Sequence, residues 1–240
     1  MKKRKLVSIV IPVYNEKDFI AKTVKRVLES DTLDYKKEII IVDDGSTDGT
    51  SQILRKISKN QDNIKVYYKE NAGKGSSLKL GFQKTKGNIV LVQDADLEYD
   101  PNDYPLLLKP FLDNNADIVY GSRLVTAKPH RVLYFWHYIL NKLLTNLSNL
   151  LTNLNLTDME TGYKVFKGDI IRKLAKNLQS KKFGFEPEIT AKISKIKNIK
   201  IFEVGISYSG RTYEEGKKIN WKDGIKAVYE IIKFNLQARN

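Results

Sequence analysis

The sequence predicts an α/β protein built on a mainly parallel central sheet flanked by helices. Three observations predict this. Short runs of β-formers alternate with helical stretches throughout the first half of the 240-residue chain. Those runs are nearly continuous in Ile and Val, as in strands covered by helices on both faces. Several of them end in acidic or glycine-containing turns, the places where ligands meet a parallel sheet.

The first run, "LVSIVIP" (6–12), follows the basic cluster "KKRK" and resembles a secretion signal. It is short, contains Pro12, and leads into polar "YNE" without a small-residue cleavage pattern, so it reads as a buried strand. A helical pattern runs from Lys17 to Glu29. "EIIIVDD" (38–44) precedes a second helix from about Asp48 to Ser58. "IKVYYKE" (64–70) precedes a third from about Gly75 to Thr85. "NIVLVQDAD" (88–96) precedes a helix within 101–114, and "ADIVYGS" (116–122) closes the series.

The second half reads differently. "RVLYFWHYILNKLLTNLSNLLTNL" (131–154) is strongly apolar, yet its polar interruptions leave no stretch near the roughly 20 residues that span a bilayer. The stripe Trp136, Leu140, Leu143, Leu147, Leu151 and Leu154 has helical spacing and is expected to pack on the core. The aromatic start, Tyr134 to Tyr138, suits either the core or a lipid interface. Trp221 opens an amphipathic helix whose Ile225, Val228 and Ile232 share one face, expected in the core, with membrane docking as the alternative. In "FEPEI", Pro187 is expected at a first helical position, with Glu186 and Glu188 as acids of the first turn. His130 and His137 have no evident metal-ligand partner.

There is no cysteine, which excludes disulfides and Cys-based zinc sites. The net charge of +14 favours an anionic partner: nucleic acid, a membrane surface or a phosphorylated substrate. No nucleic-acid-binding motif appears, and acids on the ligand rim would repel a phosphate backbone, so nucleic acid is not expected.

Four turns share the predicted rim. "PVYNE" carries Glu16, and "VDDGSTDGT" carries Asp43 and Asp44, acids suited to base N–H groups or ribose hydroxyls. Asn15, Thr47 and Asp48 equally suit helix caps, and "DGS" a plain turn. "NAGKGSSLKLG" (71–81) opens a helix with two glycines around Lys74, which suits a diphosphate without being a Walker loop. In "QDADLE", Asp94 and Asp96 project to one side of extended backbone, with Ala95 opposite. Such a pair suits Mg2+ or Mn2+, with open positions for diphosphate oxygens and Glu98 either as a third ligand or as a partner one shell further out. Each turn alone is a weak signal; together, in this order, they are specific.

In this order these segments, with "YGSR", "DMETGYKVFK", "FGFEPEI" and "ISYSGRTYEEGKKI", resemble the family 2 glycosyltransferases of the GT-A fold. The branch resembled contains dolichyl-phosphate mannose synthase and polyprenyl-phosphate glycosyltransferases. The resemblance implies a nucleotide-sugar-binding half at 1–125 and an acceptor-side half of the same domain at 126–240. It places Pro12, Tyr14, Glu16, Val42 and Asp44 around the nucleoside, while Lys74 is expected at the donor from the glycine-loop reading itself. Asp94 and Asp96 become the metal-diphosphate pair, with Ala95 touching the donor through its backbone. Arg123, Arg211 and Lys217 meet donor phosphates, while Arg131 and Lys218 meet the acceptor phosphate.

The implied reaction is inverting transfer of a hexose, from GDP-mannose or UDP-glucose, to a polyprenyl or dolichyl phosphate. The catalytic residues expected are Asp96, Arg211 and, for any base or acceptor-orienting carboxylate, Asp158 before Glu160. A phosphomonoester, with a second pKa of about 6, needs no base, only positive charge to hold it. The expected setting is peripheral, on an anionic surface at the cytoplasmic membrane face. The alternatives are transfer to a saccharide hydroxyl and, more distantly, non-catalytic nucleic-acid binding.

Overall fold

The computed structural model describes residues 5–59, 61–125, 131–132, 134–182, 184–212, 214 and 221–237. Seven strands form one sheet in the order β3-β2-β1-β4-β6-β5-β7. They are β1 (Leu6–Val13), β2 (Lys36–Asp43), β3 (Ile64–Tyr68), β4 (Ile89–Val92), β5 (Ile118–Ser122), β6 (Lys164–Lys167) and β7 (Ile201–Gly205). All neighbours are parallel except β6, which runs antiparallel to both β4 and β5. The five strands expected from the first half are present. The run 116–122 closes that series as β5; two strands not expected from the sequence, β6 and β7, come from the second half, and β6 lies inside the sheet.

The helices are α1 (Ile20–Glu29), α2 (Thr50–Ser58), α3 (Lys74–Lys84), α4 (Tyr104–Asp113), α5 (Phe135–Thr152), α6 (Gly168–Lys176), α7 (Phe185–Ile193) and α8 (Trp221–Gln237). The alternation of β1 assigns its side chains to two cores. Val7, Ile9, Ile11 and Val13 pack with Ile20, Val24 and Val27 of α1, Leu54 of α2 and Leu107 and Leu108 of α4. Val10, with Ile40 and Val42 of β2, packs with Leu78 and Phe82 of α3, Ile171 of α6 and Phe185 and Ile189 of α7. Gly81 lets α3 approach this closely, since a Cβ there would overlap the Val10 side chain.

α5 and α8 pack on each other through Leu144, Leu147, Leu151, Ala227 and Ile231, with Met159 beneath them. Gly224 abuts Leu140, whose nearest methyl would lie 2.9 Å from an added Cβ. The leucine stripe is therefore split. Leu147, Leu151 and Leu154 pack inward, whereas Trp136, Leu140 and Leu143 are exposed, Trp136 by 76%. On α8 the expected core face is also corrected: Ile225, Val228 and Ile232 are exposed, and Ile231 and Phe234 are buried instead. Periodicity identified both helices but not the side each presents. Pro187 stands third in α7, not first, because Phe185 and Glu186 open the helix.

Candidate active site

The parallel strands β1 to β4 deliver their C-terminal loops to one rim of the sheet. Because β6 runs the other way, the turn preceding it, 158–163, arrives at the same rim. β7 is parallel to β5, so the segment after it, 206–211, arrives there too. This topology gathers residues that are more than a hundred positions apart.

The first two loops are bound mainly to each other. Asn15 accepts from Thr47 N (2.8 Å), and its own N–H donates to Ser46 Oγ (3.0 Å). Asp48 accepts from Thr50 N (3.0 Å) and Lys17 N (3.1 Å) as a turn residue, one position before Gly49, the N-cap of α2, which makes no side-chain cap bond. Asp43 is held by Ser46 N (3.0 Å) and by Ser51 Oγ. Asp44 accepts from Gly73 N (2.7 Å), Ala72 N (3.2 Å) and the Lys69 ammonium, so it anchors the third loop. Tyr14 stands exposed at the rim. Val42 is fully buried in the core, and no face of its side chain is open to a nucleoside. Pro12 is buried as well, and the Ala95 carbonyl accepts from Thr23 Oγ1 (2.8 Å).

The expected glycine-loop cradle for a diphosphate is not open. Gly75 N donates to the Lys182 carbonyl (3.2 Å) and Ser76 N to that of Lys181 (3.1 Å). Lys74 instead bridges two carboxylates, Asp94 Oδ1 at 2.9 Å and Glu186 Oε1 at 3.1 Å. Burial works against its charge, but Asp94 and Glu186 outweigh it and raise its pKa well above the usual lysine value. Glu186 is thus part of the rim, a role that reading it as a helix-terminal acid missed.

Arg211 stands among the other acids. Its Nη2 is 3.2 Å from Asp96 Oδ2, its Nε 3.4 Å from Glu98 Oε1 and its Nη1 3.6 Å from Glu16 Oε2. Burial first, then the charges of Asp94 and Glu98, push the Asp96 pKa up to about 7, with Arg211 only partly offsetting them. Among the described residues five carboxylates, Glu16, Asp94, Asp96, Glu98 and Glu186, thus meet two cations, Arg211 and Lys74. A donor set of hard carboxylate oxygens that is short of positive charge fits Mg2+ or Mn2+. The expected triple of Asp94, Asp96 and Glu98 is nevertheless not gathered: among the described residues no three acidic or histidine side chains form a metal-holding group. Glu98 turns instead to Tyr208 OH (2.8 Å) and Arg211 N (2.9 Å).

Asp158 is corrected most sharply. It is fully buried, and accepts from Arg123 N (3.1 Å), Arg123 Nε (2.7 Å), Arg123 Nη2 (2.7 Å) and Asn141 Nδ2 (3.0 Å). Burial opposes its charge, but the guanidinium and these hydrogen bonds prevail and hold its pKa below the usual carboxylate value. A carboxylate so held is a poor proton acceptor. Arg123 is equally engaged, its guanidinium also 5.2 Å from the centroid of the Tyr208 ring.

Glu160 is the opposite case. Burial and Glu186 push its pKa up to about 7, and its buried Oε1 has no hydrogen-bond partner. Arg131 lies beside the rim, donating from Nη1 to the Gly210 carbonyl (3.2 Å) and from its backbone N to that of Tyr208 (3.2 Å). Lys217, Lys218 and His130 lie outside the described residues.

Comparison with known proteins matches residues 8–175 to the model for glycosyl transferase family 2. An undecaprenyl-phosphate 4-deoxy-4-formamido-L-arabinose transferase of Edwardsiella ictaluri is 30% identical over 169 residues, 69% of this chain but 50% of that protein. A dolichyl-phosphate beta-glucosyltransferase of Trichomonas vaginalis is 28% identical, with 95% of this chain and 72% of that protein covered. The glucosyl-3-phosphoglycerate synthase of Mycobacterium tuberculosis, solved with Mn2+, uridine diphosphate and phosphoglyceric acid, superposes with a TM-score of 0.70 at 20% identity. That match covers 98% of this chain and 78% of the synthase, and shows a common GT-A fold.

Proposed function

We infer the reaction from one premise: the chain belongs to glycosyl transferase family 2, and is therefore a glycosyltransferase. The proposed reaction moves a hexose, mannose or glucose, from a nucleotide diphosphate sugar to a polyprenyl or dolichyl phosphate, inverting the anomeric centre. Two relatives whose names specify undecaprenyl-phosphate and dolichyl-phosphate transfer support this acceptor class.

The observation that carries the lipid-phosphate reading is the surface beside the site. Arg131 touches the segment that bears Arg211, and four residues later α5 begins with exposed Phe135 (63%) and Trp136 (76%). Tyr138 and Leu143 on α5, with Ile225, Tyr229 and Leu236 on α8, extend this exposed apolar set. Among the described residues, no helix is long and apolar enough to cross a membrane. In this proposal the two helices rest on an anionic bilayer at its cytoplasmic face and bring the lipid phosphate to the rim.

Catalysis then rests on position and charge. An acceptor phosphate oxygen attacks the anomeric carbon as the bond to the nucleoside diphosphate breaks, its electron pair leaving with the diphosphate. Asp96, with Asp94 alongside, would hold Mg2+ or Mn2+, which when bound supplies positive charge to the departing diphosphate. Arg211 is placed to swing from the carboxylates to the phosphates, and Lys74 holds Asp94 in place. Tyr14 and Glu16 line the nucleoside side, while Arg131, Lys217 and Lys218 are the cations proposed for phosphates.

Incubation with Mg2+ or Mn2+, polyprenyl phosphate and labelled GDP-mannose or UDP-glucose tests the reaction. Organic-extractable label from one donor, lost in Asp96→Ala, is expected. Label on a soluble or polymeric glycan instead would refute the lipid acceptor. Glu160 favours that second reading, since an unpartnered carboxylate with a pKa near 7 suits a base for a saccharide hydroxyl.

A further inference from the structure

We propose that Glu98 is a positioning residue, not a metal ligand: it fastens the segment Ser207–Arg211 across the rim so that the Arg211 guanidinium stands at Asp96. The inference rests on the donor site proposed at Asp96.

Three of the oxygens of Glu98 bind that one segment. Its main-chain carbonyl accepts from Ser209 N (3.0 Å). Oε1 accepts from Arg211 N (2.9 Å), and Oε2 from Tyr208 OH (2.8 Å). Direct ligation of Mg2+ requires a carboxylate oxygen at about 2.0–2.1 Å with a lone pair aimed at the ion. Oε1 accepts from both Arg211 N (2.9 Å) and Arg211 Nε (3.4 Å) and Oε2 from Tyr208 OH (2.8 Å), so an ion ligated by Glu98 would have to compete with these bonds, and charge-assisted bonds of this kind are among the stronger ones in proteins.

The neighbouring contacts reinforce the same attachment. Asp103 accepts from Ser207 N (2.6 Å), Tyr99 and Tyr208 form an isolated antiparallel bridge, and their rings lie 5.3 Å apart. With the main chain leading into it fixed from Ser207 to its own N–H, Arg211 reaches Asp96 and Glu16 and lays its guanidinium 5.5 Å from the centroid of the Phe19 ring. Without Glu98, the backbone N–H of Arg211 loses its acceptor and the guanidinium loses one of its three carboxylates. The consequence for the reaction is placement: a cation delivered by a fastened segment stands ready for phosphate, whereas one on a loose segment must be ordered in each turnover.

The test compares Glu98→Ala, Glu98→Gln and Asp96→Ala by two readouts that need no turnover. One is trypsin cleavage of the Arg211–Thr212 bond in metal-free protein, mapped by mass spectrometry. The other is Mn2+ binding in the presence of uridine or guanosine diphosphate, read by electron paramagnetic resonance of free Mn2+. Glu98→Ala is expected to speed cleavage at that bond about tenfold, by analogy with local opening of a released segment. Its Mn2+ affinity should stay within about threefold of wild type, since the lost negative charge is balanced by the departing Arg211. Glu98→Gln, which keeps an acceptor for Arg211 N, should restore most of the protection. Unchanged cleavage in Glu98→Ala, or a tenfold or greater loss of Mn2+ affinity in either Glu98 variant, would overturn the proposal. Asp96→Ala separates the premise from the inference: if it binds Mn2+ like wild type, the donor-site reading itself fails.

Discussion

Removing the charge of Asp158 should cost stability before it costs chemistry. The carboxylate is fully buried and takes four hydrogen bonds, three from Arg123 and one from Asn141. Asp158→Ala leaves a buried guanidinium with no counter-charge, and breaking such a pair costs about 3–5 kcal/mol. For a domain of this size that corresponds to a fall in Tm of about 6–20 °C. Asp158→Asn keeps the shape but turns an N–H2 group toward N–H donors of Arg123 or Asn141, so it should fall in the same direction. Urea unfolding and thermal scans measure the loss, and transfer is assayed well below each variant's Tm. A general base behaves differently: its removal costs about a hundred- to ten-thousandfold in rate with the fold intact. Asp158→Asn with Tm within about 2 °C of wild type, well under the shift expected of a broken buried pair, and transfer reduced a hundredfold would refute the reasoning.

Two further outcomes are expected. In Gly162→Ala the new Cβ would overlap Asp94 Oδ2 and lie 2.9 Å from the Tyr99 ring, so the Asp94 carboxylate must shift from its present position. Calorimetric titration with the donor and Mn2+ should show roughly tenfold weaker binding, the scale on which displaced supporting groups act; equal affinity would count against Asp94 as a donor-site residue. The double variant Phe135→Asp/Trp136→Asp removes two exposed aromatics from the proposed membrane face, worth about 3 kcal/mol together. Flotation with anionic liposomes should therefore fall about a hundredfold at unchanged Tm, and undiminished flotation would move the lipid contact elsewhere.

The parts of the fold legible in the sequence are those whose signal is local. β1, β2 and β4 are runs of Ile and Val long enough to read as strands, and Asp94 and Asp96 are recognisable because their spacing is fixed by one extended backbone. β6 is different. It is four residues long, "KVFK", and begins at Lys164, a residue type that ordinarily marks a surface. In the structure Lys164 is fully buried, its ammonium donating to the carbonyls of Met159 and Thr161, and burial lowers its pKa to about 8. The strand exists because its neighbours β4 and β5 leave a place for it, and nothing in four residues encodes that.

The candidate site divides along the same line. The rim carboxylates other than Glu186 were visible in the sequence, but their partners were not. Lys74 meets Asp94 across 20 positions, Arg123 meets Asp158 across 35, and Arg211 meets Asp96 across 115. Such pairings depend on which way β6 and β7 run, so they become readable only with the topology. They also change what the residues mean. Asp158 and Arg123, read singly, are a base and a phosphate ligand; together they are a buried ion pair that ties the turn before β6 to the end of β5. Glu186, read singly, is a helix-terminal acid; beside Lys74 it shares the cation that steadies Asp94. The net charge of +14 suggested an anionic ligand without locating it. Among the described residues the rim carries more carboxylates than cations, so a negatively charged donor would need added positive charge there. On the proposed reading, that requirement is the physical reason a divalent metal, and an Arg211 that turns to the phosphates, would be needed to bind a diphosphate at this site.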